Sequence, residues 1–87
     1  MNAYKINKHI ICADVLDEAK AFFRNEVGEP LPDHVEEMSW ECMVPGESGE
    51  NTTIRDIINR ILDERNDWLR MGVPCDLHQP FIIVKLP

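Results

Sequence analysis

The apolar spacing of residues 53–72 constrains this chain more than any other stretch. They read Thr-Ile-Arg-Asp-Ile-Ile-Asn-Arg-Ile-Leu-Asp-Glu-Arg-Asn-Asp-Trp-Leu-Arg-Met-Gly. Ile54, Ile57, Ile58, Ile61, Leu62, Trp68 and Leu69 repeat at i, i+3, i+4, i+7, i+8, which is one stripe of a helix. Arg65 interrupts the stripe, and its aliphatic stem can lie over a core edge. Thr53 can cap the first turn, with Asp56 three residues on as an acidic capping-box partner. Gly72 suits the left-handed position after the last turn, and Pro74 prevents continuation.

A second helical pattern lies near the start. Val15, Leu16, Ala19, Phe22, Phe23 and Val27 keep helical spacing, with Asp14 at the expected cap and Asp17 and Glu18 in the first turn. Gly28 and Pro30 end it. Upstream, Tyr4 to Ala13 contains Ile10-Ile11-Cys12-Ala13, an apolar run that reads as a strand buried on both faces. Phe81-Ile82-Ile83-Val84 is a second such run.

Residues 35–44 fit two patterns. As a helix, Asp33 caps and Val35, Met38 and Cys42 line a stripe. As a strand, Met38, Trp40, Cys42 and Val44 share one face, with Glu37, Ser39 and Glu41 on the other. Trp40, Met43 and Val44, with the Pro45-Gly46 turn signal, favour the strand, half buried and therefore antiparallel or at an edge. Residues 45–52 read as a loop into the long helix, and residues 73–80, with two prolines, as an irregular connection. The expected fold is α+β in the order β-α-β-α-β, a small three-stranded sheet with both helices on one face. Ile57, Ile58, Ile61, Leu62, Phe22, Phe23, Ile11 and Ile83 are its expected core.

Length limits what such a fold can do. The 87 residues make one small acidic domain, 1–87. A chain this short buries only about 60–65% of its unfolded surface, which leaves little room for a deep catalytic cleft. The longest apolar run is far below the ~20 residues of a membrane span. The start lacks the apolar segment of a signal peptide. Three widely spaced cysteines, Cys12, Cys42 and Cys75, argue against a disulfide framework and for reduced thiols. The expected location is cytoplasmic.

Charge is unevenly placed. Residues 1–50 hold eleven Asp/Glu against four Lys/Arg, which accounts for the whole net charge of −7; residues 51–87 hold five of each. No Lys or Arg separates Arg24 from Arg55, and that gap holds Glu26, Glu29, Asp33, Glu36, Glu37, Glu41, Glu47 and Glu50. Direct nucleic-acid binding by phosphate neutralisation is excluded as the expected mode. The expected partner is a basic protein surface, one that itself handles nucleic acid. Glu36, Glu37, Trp40, Glu41, Glu47 and Glu50 are the candidate contacts. Trp40 among acids is a common hot-spot arrangement, whereas core packing is the plainer role for both Trp40 and Trp68. Glu37 and Glu41 share the strand face with Ser39 between them. Two residues along a strand span about 6.6 Å, close to the ~7 Å between phosphates on one nucleic-acid strand. The plainer role of these acids is a solubilising surface.

Chemistry-bearing patterns are sparse. Cys75-Asp76-Leu77-His78 has the spacing of half a metal site, which Cys12, Cys42, His9 and His34 can complete in principle. The same loop admits a Cys/His nucleophile pair, without an evident oxyanion donor. No phosphate-binding glycine loop and no H-E-x-x-H is present. The expectation is therefore no enzyme, no catalytic residue, no metal and no cofactor. The alternatives are a Cys/His metal or thiol site around Cys75 and His78, or a structural subunit of a larger assembly.

Some short features carry a resemblance. They are the start Met1-Asn2-Ala3-Tyr4, the junction Ala13-Asp14-Val15, Glu18-Ala19-Lys20 in the first helix, Gly28-Glu29 after it, and Pro80-Phe81-Ile82-Ile83-Val84. With the β-α opening and the acidic body, the chain resembles the small phage-encoded anti-CRISPR proteins that inhibit type I systems. The resemblance touches about a quarter of the chain and carries no site residue. It implies a non-enzymatic inhibitor that occupies a basic, nucleic-acid-handling surface.

Overall fold

The computed structural model describes residues 1–46 and 49–87. The fold is α+β. A four-stranded antiparallel sheet is built from β1 (Asn2–Ile6), β2 (His9–Ala13), β3 (Glu36–Met38) and β6 (Phe81–Lys85), in the order β3-β1-β2-β6. A separate two-stranded hairpin joins β4 (Met43–Pro45) to β5 (Asn51–Thr53). Helix α1 spans Leu16–Phe22 and continues as a π-helical turn, Phe23–Val27; helix α2 spans Ile54–Arg70.

The expected three-stranded sheet is thus replaced, among the described residues, by six strands in two sheets. The first expected strand is a hairpin. Asn7 adopts φ 55, and a two-residue turn pairs Ile6 with His9. Asn tolerates the left-handed region better than most residues, so Asn7-Lys8 reverses the chain without glycine.

The helices do not share a face. Tyr4, Ile6, Ile11, Ala13, Ala19 and Phe23 form one cluster, on the α1 side. Ala3, Ile10, Cys12, Val44, Ile54, Ile57, Ile58, Phe81 and Ile83 form the other, on the α2 side. Side chains alternate across a strand, so consecutive residues of β2 feed opposite clusters. All five residues of β2 are buried. A strand apolar at every position has to be covered on both faces, and one helix on each side does that. Register shifts between Ile10 and Ile11, so Ile11 pairs with Ile82 while Ile10 pairs with Val84. Ile83 is the extra residue, which lets both Ile83 and Val84 reach the α2-side core.

The second expected strand, 35–44, is broken in two. Cys42 N–H bonds the Ser39 carbonyl (3.1 Å) and Glu41 N–H bonds Ser39 Oγ (3.2 Å), closing a turn. The reason lies in α2. The first amides of a helix have no partner within it. Ile54 N–H donates to the Cys42 carbonyl (3.0 Å), Arg55 N–H to the Trp40 carbonyl (2.9 Å) and Asp56 N–H to Thr53 Oγ1 (3.2 Å). Residues 40–42 leave the sheet to cap the helix. Met38, Trp40, Cys42 and Val44 nevertheless all pack on the α2-side core, so the expected apolar face survives the break.

Of the segment expected as a loop, 45–52, Pro45 ends β4 and Asn51 and Thr52 belong to β5, while residues 47 and 48 lie outside the described residues. Gly46 N–H bonds the Glu50 carbonyl at 2.8 Å. A Cβ on Gly46 would lie 2.7 Å from that oxygen, so the turn requires glycine.

The two halves of α2 are held differently. Ile54, Ile57 and Ile58 are buried, and Ile61 and Leu62 are half-buried. Beyond them Arg65 turns back over the 76–80 loop. Its Nη1 donates to the carbonyls of Asp76 (3.3 Å), Leu77 (3.4 Å) and Gln79 (2.8 Å), and its guanidinium lies 4.8 Å from the centre of the Phe81 ring. The helix ends in a paired cap, with Gly72 N–H on the Leu69 carbonyl (3.1 Å) and Val73 N–H on that of Trp68 (2.9 Å). Gly72 takes the left-handed φ of 82 this cap needs.

Candidate functional site

The acidic candidates fall at one free edge of the sheet and beyond it. Among the described residues β3 pairs only with β1, and Glu36 and Glu37 on it are both exposed. Neither carboxylate has an ion pair among the described residues. Adjacent strand residues face opposite ways, so the two present charge on both sides of the edge. Glu50 is exposed at the hairpin tip, and Glu47 lies outside the described residues.

Glu41 differs from its neighbours. The Arg55 side chain donates from Nε to Glu41 Oε1 at 2.7 Å, and its guanidinium stands 5.2 Å from the centre of the Trp40 ring. Trp40 is half-buried on the α2-side core and covered by a cation. The strand ends at Met38, so Glu37 and Glu41 do not form a straight row at strand spacing. Free carboxylates at Glu36 and Glu37 are followed by a Trp40–Arg55–Glu41 stack.

Trp68 is not a core residue. It is 43% exposed, beside Leu69 (42%), Met71 (70%) and Val73 (45%) at the far end of α2. The stripe that buries Ile57 and Ile58 runs past the edge of the body. A shorter sheet partner was not legible from the spacing, because periodicity gives a face and no length.

The Cys75–His78 loop does not bring its thiol and imidazole into a hydrogen bond. His78 Nδ1 lies 3.0 Å from Asp14 Oδ2, and His78 N–H bonds Asp76 Oδ1 at 2.9 Å. Asp14 therefore holds the loop and does not cap α1, which starts after Val15 with no side-chain cap. Among the described residues no three His, Cys, Asp or Glu side chains gather as a metal site. Cys12 is buried, and burial pushes its thiol from the ordinary 9.0 up to about 11.

A feature missed in the sequence is the gathering of lysines. Lys8 in the β1–β2 turn and Lys85 in β6 line one cavity; Lys5, with Asn7, lines its neighbour. Cross-strand register brought them together, and only the correct hairpin would have shown it.

No protein-family model matches this chain, and neither a curated protein nor a solved structure shows significant similarity to it. Among the described residues no helix is long and apolar enough to cross a membrane.

Proposed function

We propose that this protein is a non-enzymatic acidic binder, an anti-CRISPR-like inhibitor that acts in the cytoplasm on a basic, nucleic-acid-handling surface of a partner protein. The observation that carries this reading is the β3 edge, where exposed Glu36 and Glu37 stand without ion pairs among the described residues. A free strand edge also offers unpaired backbone groups, a ready way to fix a partner's register. The net charge of −7 speeds the approach of a cationic surface and disfavours direct nucleic-acid contact.

Trp40 and Glu41 take a conditional part. A partner arginine or lysine can displace Arg55 from Glu41 and from the Trp40 ring, exchanging one cation for another. Exposed Glu50 extends the acidic surface, and Glu47, outside the described residues, is the further candidate contact.

The test is a pull-down from host-cell lysate with the native protein beside a Glu36→Gln, Glu37→Gln double variant, at low and high salt. The expected result is a defined partner whose retention falls with either the substitutions or the salt. Equal retention by both proteins, or binding insensitive to salt, removes the reading.

A further inference from the structure

We infer that the outer edge of β6 is the docking site for a second copy of this chain, whose own β6 pairs with it antiparallel. Two four-stranded sheets then become one sheet of eight strands. This goes beyond the acidic binding surface and does not rest on it.

The two edges of the sheet are built differently. β3 is three residues long and carries exposed Glu36 and Glu37. Short length and charge guard an edge against pairing. β6 has five residues, Phe-Ile-Ile-Val-Lys, with Lys85 as its one charge. It lies outermost in the order β3-β1-β2-β6. Among the described residues no hydrogen bond reaches the backbone of Phe81–Lys85 from beyond β2. Ile82 on it is 40% exposed. An apolar edge of this length is a template for another strand.

The irregularity at Ile83 selects the register of a symmetric pair. Opposed residues on paired strands share a face. Phe81 and Val84 pair with Cys12 and Ile10, so they face α2, as do the extra residue Ile83 and the following Leu86. Ile82 and Lys85 pair with Ile11 and His9 and face α1; Ile11 lies in the α1-side cluster and the His9 ring meets Phe23. A two-fold axis perpendicular to the sheet makes the strands antiparallel and keeps both α2 helices on one side. Among registers that pair at least four residues of each strand, one alone matches every face. It sets Ile83 opposite Val84 of the second copy, Phe81 opposite its Leu86, and Ile82 opposite its Lys85. A two-fold interface has to be self-complementary. Here the aliphatic stem of each Lys85 covers the exposed Ile82 of the other copy.

Charge favours a second copy as the occupant. The net charge of −7 comes from residues 1–50, whereas residues 51–87, which supply β6, hold five acids and five bases. Pairing through β6 sets the two acidic β3 edges at opposite ends of the joint sheet, seven strand spacings of about 4.8 Å apart. Screening at ~10 Å leaves little repulsion over that distance. A basic strand gains nothing at an edge whose one charge is Lys85. Space is present too. On the α2 side Ile57, Ile83 and Val84, with Pro45 and Thr52, line a cavity of about 290 Å³, which admits side chains that a further strand brings to that face. One strand edge buries less than a standard interface, so the dimer separates on dilution.

The test is sedimentation equilibrium over a concentration series, with amide hydrogen exchange on the same samples. The native mass should rise from one chain towards two, and exchange of residues 81–85 should slow as it does. Ile82 is exposed, so substitutions there leave the core intact, which far-UV circular dichroism checks. Ile82→Lys sets like charges opposite each other twice per dimer and should weaken association about tenfold. Ile82→Glu instead sets a carboxylate opposite Lys85 and should retain it, and adding Lys85→Glu to Ile82→Lys should restore it. A mass of one chain at every concentration overturns the proposal and leaves the edge to an unlike partner. Equal effects of Lys and Glu at position 82, or exchange in β6 that ignores concentration, overturn it as well.

Discussion

The first and second halves of α2 share one sequence pattern and meet different fates. From Ile54 to Leu62 the apolar stripe lies on the sheet, with Ile54, Ile57 and Ile58 buried. From Asp63 to Arg70 the same period continues, and it delivers Trp68 and Leu69 to the surface. The difference is the extent of the surface beneath. An amphipathic helix is apolar towards whatever covers it, and the body of this protein stops near Arg65. That residue substitutes polar bonds for packing, gripping three carbonyls of the following loop. An interruption in an apolar stripe can mark where a helix leaves its core.

Substitutions along the helix should separate the halves. The largest loss is expected for Ile58→Ala, at about 2–5 kcal/mol in thermal or denaturant unfolding. A loss no larger than that from a surface residue would mean that the first half is not buried as described.

Next comes alkaline pH, through Cys12 under the buried half. Its thiol ionises near 11 in the fold and near its ordinary 9.0 in the unfolded chain. Between those values the unfolded chain gives up the proton first, so stability falls as pH rises from 9 to 11. The difference of two pH units corresponds to about 2–3 kcal/mol. Unfolding of a Cys12→Ala variant should show a shallower decline over that range.

Arg65→Ala should cost about 1.5–3 kcal/mol, the range for bonds to a charged donor. Its more specific signature is faster hydrogen exchange and proteolysis in residues 76–80, with the first half of α2 unaffected. Uniform loosening of the whole helix would show that Arg65 acts on the core instead.

The smallest effect belongs to Trp68→Ala, at about 0.5 kcal/mol or less, as for other surface changes. A loss above 2 kcal/mol would place Trp68 in the core and erase the contrast between the halves.

What could be read in the sequence follows the same logic. Local chemistry was legible: Thr53 caps α2, and Gly28 and Gly72 take the left-handed conformations their helix ends require. Longer-range choices were not. Asn7 closes a hairpin in which neither flank shows a glycine signal. Residues 40–42 leave their strand because the amides of Ile54 and Arg55 need acceptors. The arrangement of the helices was available and misjudged. An Ile-Ile-Cys-Ala run buried on both faces already requires cover on both sides, which two helices on one face cannot supply. For the site, the acids were visible as a gap between Arg24 and Arg55. The capture of Glu41 by Arg55 and the meeting of Lys8 with Lys85 depend on folding and were not.

The central strand β2 has a consequence for the order in which the chain is made. Its partner on one side, β1, precedes it directly, whereas its partner on the other side, β6, is translated only after both helices. During synthesis the nascent chain therefore holds a strand of five residues destined for full burial, with one edge bare. Such an edge templates pairing between neighbouring chains. Until Phe81–Lys85 pairs with it, the edge of β2 away from β1 stays open, and α1, which packs on a face of the sheet, does not close it.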